Sequence, residues 1–142
     1  MRRPEPQVEI LDRYRPRSDL GFLRRAVAAA LAVGRRRHAV SLLLTDEREI
    51  AKLHARFLGD PSGTDVISFL IDDTVELVVS VERARREARR RGHPIKAELA
   101  LYVIHGILHA CGYDDIAAPD RAAMRKAEQR ALARLRCSVS AE

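Results

Sequence analysis

Residues 95–115 read IKAELALYVIHGILHACGYDD, an apolar run interrupted at helical spacing by His105 and His109. Leu101, Val103, Ile104, Ile107 and Leu108 belong in a core, so residues 95–111 form a long central helix with Pro94 opening it. Positions i and i+4 project from one helix face, one above the other, so two imidazoles four residues apart can bind a single cation without backbone strain. Gly112 lets the chain leave the helix in a left-handed conformation and turn back, which brings Asp114 or Asp115 towards the same cation. Two neutral imidazoles and one carboxylate suit zinc and leave a fourth position open for water. A metal ion also offsets the desolvation of histidines and carboxylates set among core residues.

Outward from that helix, the pattern alternates between strands and helices. Gln7 to Asp12 alternates Val8 and Ile10 against Gln7 and Glu9, as a half-exposed strand does. Ser18 is placed to cap a helix that carries Leu20, Leu23, Val27 and Leu31 inward until Gly34 ends it. Residues 39–44 are an apolar run of strand length, and Asp46 with Glu49 starts a helix that carries Ile50, Leu53 and Phe57 inward. Asp60-Pro61-Ser62-Gly63 is a turn cluster, and residues 66–71 and 75–81 are two strands close enough for a hairpin. A basic helix over residues 82–91 closes at Gly92, and Pro119 suits the first turn of a last helix through about Leu135. This order predicts one α/β (α+β) domain over residues 1–142: a small mixed four-stranded sheet packed with about five helices, the metal site on a central helix. The first few residues and the tail after Arg136 are expected to be mobile.

With 142 residues the chain can bury one core without disulfides, and its two cysteines are too few for a disulfide framework. Cys111 reads as buried packing. A hydrophobic content of 46% with 32% charged residues belongs to a soluble protein. The N-terminus lacks the apolar core of a secretion signal, and residues 26–33 are far shorter than the roughly 20 residues that span a bilayer, so a cytoplasmic location is expected. Only 4% of residues are aromatic, which argues against an extended stacking platform for single-stranded RNA. The net charge of +6 favours an anionic partner, with arginine concentrated in Arg35-Arg36-Arg37 and at Arg83, Arg85, Arg86, Arg89, Arg90 and Arg91.

The run from His105 to Asp115 resembles the signature of the YbeY family, bacterial metal-dependent endoribonucleases of ribosomal RNA maturation, which reads His-Gly-x-Leu-His-Leu-x-Gly-Tyr-Asp-His. Residues 64–69, Thr-Asp-Val-Ile-Ser-Phe, are similar to a family strand. Glu76-Leu77-Val78-Val79 stands where Gly-Asp-Ile-Val is usual, Glu98-Leu99-Ala100 leads into the histidine helix as in the family, and Met124 and Glu128 match a Met-x3-Glu pattern. The resemblance covers roughly residues 46 to 132 and implies a YbeY-like fold. It favours Asp115 as the third ligand, because Asp115 occupies the place of a third family histidine, with Asp114 orienting the turn. It also implies that Asp65 borders a substrate cleft. Three departures stand out. A family Tyr-Arg pair falls on Phe57 and Leu58, so the arginine is missing; Leu53-His54 replaces a Leu-Asn; and Leu101 stands in the place of a histidine. Arg56 cannot simply substitute, since two helical residues turn a side chain by about 200°.

An aspartate in place of histidine makes the site more anionic and harder, so zinc, one ion per chain, faces manganese as a closer competitor. A cation of this kind provides a nucleophile at neutral pH or polarises a phosphoryl oxygen, and either suits RNA cleavage. Metallopeptidases that extend His-Glu-x2-His use the glutamate as base, but position 106 is glycine. Glu98, two turns earlier, is a group behind the ligands or a surface charge. The resemblance therefore implies a zinc-dependent endoribonuclease acting on single-stranded RNA, with precursor rRNA and the small ribosomal subunit as partners and no role for DNA or a membrane. Arg85, Arg86, Arg89 and Arg90 are its expected RNA contacts. A ribosome-associated RNA-binding protein with a structural metal is the alternative, and a metallopeptidase is a third class.

Overall fold

The computed structural model describes residues 7–59 and 64–137. The turn cluster at 60–63, the first six residues and residues 138–142 lie outside them.

The predicted alternation is present. In order the elements are β1 (Val8–Asp12), α1 (Leu20–Gly34), β2 (Ala39–Thr45), α2 (Glu47–Leu58), β3 (Val66–Ile71), β4 (Thr74–Ser80), α3 (Val81–Arg91), α4 (Ile95–Ala110) and α5 (Ala118–Arg134). The sheet order is β1-β2-β4-β3, with β1, β2 and β4 parallel and β3 antiparallel on the edge. Asp72 and Asp73 join β3 to β4 with φ of 46° and 67°, the doubly left-handed turn whose twist matches a two-residue hairpin.

Helix ends follow local chemistry. Asp19, not Ser18, caps α1: its carboxylate accepts from the Phe22 amide at 3.0 Å, while the Ser18 amide donates to Asp12. The expected cap at Asp46 forms, accepting from the Glu49 amide at 2.8 Å. Ser80 caps α3, so Val81 starts a helix instead of ending a strand, and Gly92 closes it at φ 75°.

Helix α4 is enclosed by α1, α3, α5, β3 and β4. Val40, Leu42 and Leu44 on β2 pair in register with Val75, Leu77 and Val79 on β4, and all six are buried. Against them α4 buries Val103, Ile104, Ile107 and Leu108, each such side chain contributing about 1.5–3 kcal/mol. Cys111 is buried as expected, and burial holds its thiol above the usual range. Its Sγ packs on Gly34, where an added Cβ would lie 2.8 Å from the sulfur and 3.0 Å from Cys111 Cβ. That close approach ties the end of α1 to the turn that follows the histidine helix. Gly34→Ala is expected to lower stability by about 1–3 kcal/mol through overpacking, read as a lower urea midpoint at unchanged slope.

Candidate metal centre

The two histidines occupy the one flank of α4 that its neighbours leave open. Gly106 lies between them and has no room for a side chain: a Cβ there would stand 2.6 Å from Leu77 Cδ2 and 3.2 Å from Val66 Cγ2. The bare backbone lets β3 press directly on α4, and Ser68 Oγ donates to the Gly106 carbonyl at 2.6 Å. Edge strand and helix thereby form a cavity of about 240 Å³, lined by Leu58, Val66, Ile67, Ser68, His105, Gly106, His109 and Asp115. His105, His109 and Asp115, three residues separated in sequence by a helix end and a turn, thus share one wall.

His105 is held at both ring nitrogens. Its Nδ1 lies 2.6 Å from Glu128 Oε2 on α5, and its Nε2 lies 3.4 Å from Asp115 Oδ2. The Glu128 hydrogen bond raises the His105 pKa, burial opposes it, and Glu128, Asp115 and Asp65 add smaller electrostatic support. A carboxylate on Nδ1 also selects the tautomer that protonates Nδ1 and leaves the Nε2 lone pair facing the cavity. His109 is exposed at the mouth. The chain leaves α4 through Gly112 at φ 108°, as its position implied. Asp114 then accepts from the Asp115 amide at 2.7 Å and the Ile116 amide at 3.1 Å, so its carboxylate is spent on the turn while that of Asp115 points to His105. The donor set fits a divalent cation: two imidazoles and a carboxylate on one cavity wall, one imidazole oriented from behind by a second carboxylate. Among the described residues, no three His, Cys, Asp or Glu side chains are already close enough to enclose an ion.

A second cavity of about 140 Å³ adjoins His105 on its other side, lined by Asp65, Val66, Arg91, Leu101, Tyr102, His105 and Glu128. Asp65 lines this second cavity and not the one that His109 and Asp115 line. Glu98 is not a surface charge. It is 0% exposed, with Oε1 2.5 Å from His93 Nε2 and Oε2 3.5 Å from Arg91 Nη1. Burial, then the Glu98 carboxylate, pushes the Tyr102 phenol well above its ordinary range. Glu98 thus holds the α3–α4 junction through His93 and Arg91, and not His105 or His109. On α3, Arg86 lies 2.5 Å from Glu47, whose carboxyl it holds below the usual range, and Arg90 lies 2.7 Å from Glu87. Arg85 is half-buried and Arg89 exposed.

Glu128 is the member of this site whose role the residues alone did not give. Its only local signal was its spacing from Met124, and α5 brings it to His105 from 23 residues away.

The family model for endoribonuclease YbeY matches residues 20–136. The chain belongs to the YbeY family. Similar proteins named endoribonuclease YbeY include that of Syntrophus aciditrophicus, 36% identical over 124 residues covering 78% of each chain. That of Thermobifida fusca is 33% identical over 117 residues, covering 72% of this chain and 76% of the relative. The Gloeobacter violaceus protein is 43% identical over 88 residues, but the match spans only 45% of its length. The YbeY-like fold is also that of a Thermotoga maritima protein known from its solution structure, with a TM-score of 0.64, 24% identity and 92% of each chain covered. Among the described residues, no helix is long and apolar enough to cross a membrane.

Removing Glu98 leaves His93 and Arg91 beside an empty buried position, so Glu98→Ala is expected to destabilise the fold by about 3–5 kcal/mol. The His105–Glu128 pair should survive in whatever fraction remains folded. Chemical denaturation, with the His105 ring resonances followed by NMR, checks both outcomes.

Proposed function

We propose that this chain is a zinc-dependent endoribonuclease that cuts single-stranded RNA in ribosomal RNA maturation, at the small ribosomal subunit in the cytoplasm. The observation that carries this reading is the shared cavity wall of His105, His109 and Asp115, with Glu128 behind His105. Membership of the endoribonuclease YbeY family supports it. When bound, a divalent cation supplies positive charge for a phosphoryl oxygen and acidity for an attacking water. Glu128 keeps Nε2 of His105 directed into the cavity, Asp114 holds the turn that carries Asp115, and β3 walls the groove in which a phosphodiester would lie. The net charge of +6 attracts the polyanion, and Arg85 and Arg89, two of the α3 arginines outside the ion pairs that Glu47 and Glu87 make with Arg86, Arg90 and Arg91, contribute long-range contact from that helix.

A second reading has its own observation. Leu58, 57% exposed and on the cavity wall, occupies the position where the family resemblance places an arginine, so a non-cleaving RNA-binding role at the ribosome with a structural metal remains the alternative. A metallopeptidase is disfavoured because position 106, where such enzymes carry their glutamate base, is glycine, and a Cβ there would stand 2.6 Å from Leu77 Cδ2. Incubating purified protein with single-stranded RNA and with casein, each with and without chelator, separates the three: chelator-sensitive RNA cleavage, RNA binding without cleavage, or casein hydrolysis.

Elemental analysis should find close to one zinc per chain. Asp115→Ala should lose metal affinity severely and Asp115→His should keep it, while Asp114→Ala alters the turn more than the metal. Glu128→Ala should cost about 10–100-fold in affinity by releasing the His105 ring. Competition with a chromophoric chelator measures all four variants, and loss of metal from Asp114→Ala with retention in Asp115→Ala would move the ligand by one residue.

RNA affinity should fall with salt by roughly 0.7 log units per log unit of salt for each phosphate contacted. Arg85→Gln with Arg89→Gln should flatten that slope more than Arg86→Gln with Arg90→Gln. Equal slopes in both double variants and the parent would assign α3 to a solvated face.

A further inference from the structure

Helix α2 was expected to carry Phe57 inward, and it does not. Ile50 is buried, Leu53 is half-buried, and Phe57 is 58% exposed. The reason is the sheet order: α2 packs on β4 and β3, β3 is the edge strand, and among the described residues no further strand lies beyond that edge to cover the last turn of α2.

What the overhang creates is an aromatic corner. Phe57 and Phe69, two of the three phenylalanines in the chain, stand with ring centroids 6.1 Å apart and planes inclined at 44°. Each is the sequence neighbour of a cavity-lining residue, Leu58 and Ser68 respectively. Ser68 faces α4, so Phe69 points to the opposite face of the edge strand together with Ile67, and the rings reach the wall that carries His105, His109 and Asp115 round that edge, past Ile67 and Leu58, which both line the cavity.

A second observation is the charge that leads to this corner. Arg48, Lys52 and Arg56 recur at i, i+4 and i+8 on α2, and all three are exposed. The acidic residues of the same helix face other partners: Glu47 pairs with Arg86, and Glu49 with Arg13 and Thr45. The stripe ends at Arg56, whose guanidinium carbon lies 5.6 Å from the centroid of Phe57. A row of cations that ends on an exposed ring beside a cavity is the arrangement that suits an unpaired nucleic acid strand, phosphates along the row and a base on the ring.

We propose that Phe57, backed by Phe69, is a stacking subsite for one unpaired base of an RNA strand that runs along Arg48, Lys52 and Arg56 into the His105–His109–Asp115 cavity. The proposal rests on the nuclease reading for what occupies the cavity. The low aromatic content excludes a long stacking platform, but one base needs only one exposed ring with support. Stacking on a π-face tolerates every base and is denied to a base whose two faces are covered in a duplex, so the subsite selects for single strands without selecting a sequence.

The test uses the full chain and a single-stranded RNA decamer with 2-aminopurine placed at successive positions, following fluorescence on binding and cleavage of the same oligomers in parallel. The parent should quench the probe most at one position. Phe57→Leu should abolish that quench and weaken binding about tenfold, and Phe57→Trp should retain both. An abasic nucleotide at the same position should make the parent and Phe57→Leu bind alike. Arg48→Gln with Lys52→Gln should weaken binding without moving the quenched position. Parent-like binding and quenching by Phe57→Leu overturns the proposal and leaves the corner as a surface for a protein partner. The nuclease reading stands or falls separately: quenching without cleavage keeps the subsite and removes the reaction, cleavage indifferent to Phe57 does the reverse, and absence of RNA binding removes both.

Discussion

The absence of a side chain at Gly106 is the constraint on which the site depends. With a notional Cβ 2.6 Å from Leu77 Cδ2 on β4 and 3.2 Å from Val66 Cγ2 on β3, a larger residue would crowd both strands where they meet α4. Because nothing intervenes, β3 closes one side of a groove whose other side is the histidine face of the helix, and Ser68 locks the two through the Gly106 carbonyl. The same glycine decides between chemistries. A zinc peptidase that keeps its general base between the two histidines needs a carboxylate where this fold packs bare backbone against the sheet, so the close packing here and that form of peptide hydrolysis place opposite demands on this position.

Burial on the remaining sides of α4 makes the arrangement rigid. A helix surrounded by α1, α3, α5 and the sheet cannot rotate without displacing Ile104, Ile107 and Leu108 from fully buried positions, so the direction of His105 and His109 is fixed by apolar packing and not by the polar groups themselves. Polar contacts then refine it. Glu128 sets one ring, Asp114 sets the turn, and the Glu98–His93–Arg91 group fixes the junction through which α4 is entered. A well-packed frame with a few oriented polar groups is what a metal or phosphate site needs to bind without reorganising.

The frame was legible in the sequence because its signals are local: the i, i+4 histidines, the turn glycine, the Asp46 cap, the alternating rows of β2 and β4. What was illegible depended on distant chain. Glu128 meets His105 only because α5 folds back along α4, and no periodicity in 118–134 marks one glutamate as inward and functional. Phe57 obeys helical spacing for a core residue, yet lies exposed because the sheet ends beneath it, and sheet order is not a property of α2. Glu98 reads equally as a group behind the ligands or a surface charge until His93 and Arg91 are seen to enclose it. Between Asp114 and Asp115 the residues alone did not choose; the family resemblance favoured Asp114 as the turn former, and its partners are the next two amides.

Charge ties the cavity to its proposed cation. Around His105 the chain gathers three carboxylates, Asp65, Asp115 and Glu128, while the one arginine lining the adjoining cavity, Arg91, already faces Glu87 and Glu98. The overall charge of +6 therefore resides elsewhere, on α3, on the outer stripe of α2 and after α1. A phosphodiester drawn in by those long-range charges meets a locally anionic wall at the last step, where repulsion acts at short range and in a partly desolvated setting. Two neutral imidazoles do not reverse that sign. A divalent cation held by His105, His109 and Asp115 would, and it would do so at the point where the strand, the helix and the substrate backbone converge. On the proposed function, this distribution of charge would divide the work between arginines that recruit a polyanion and carboxylates that reserve the centre of the groove for a metal.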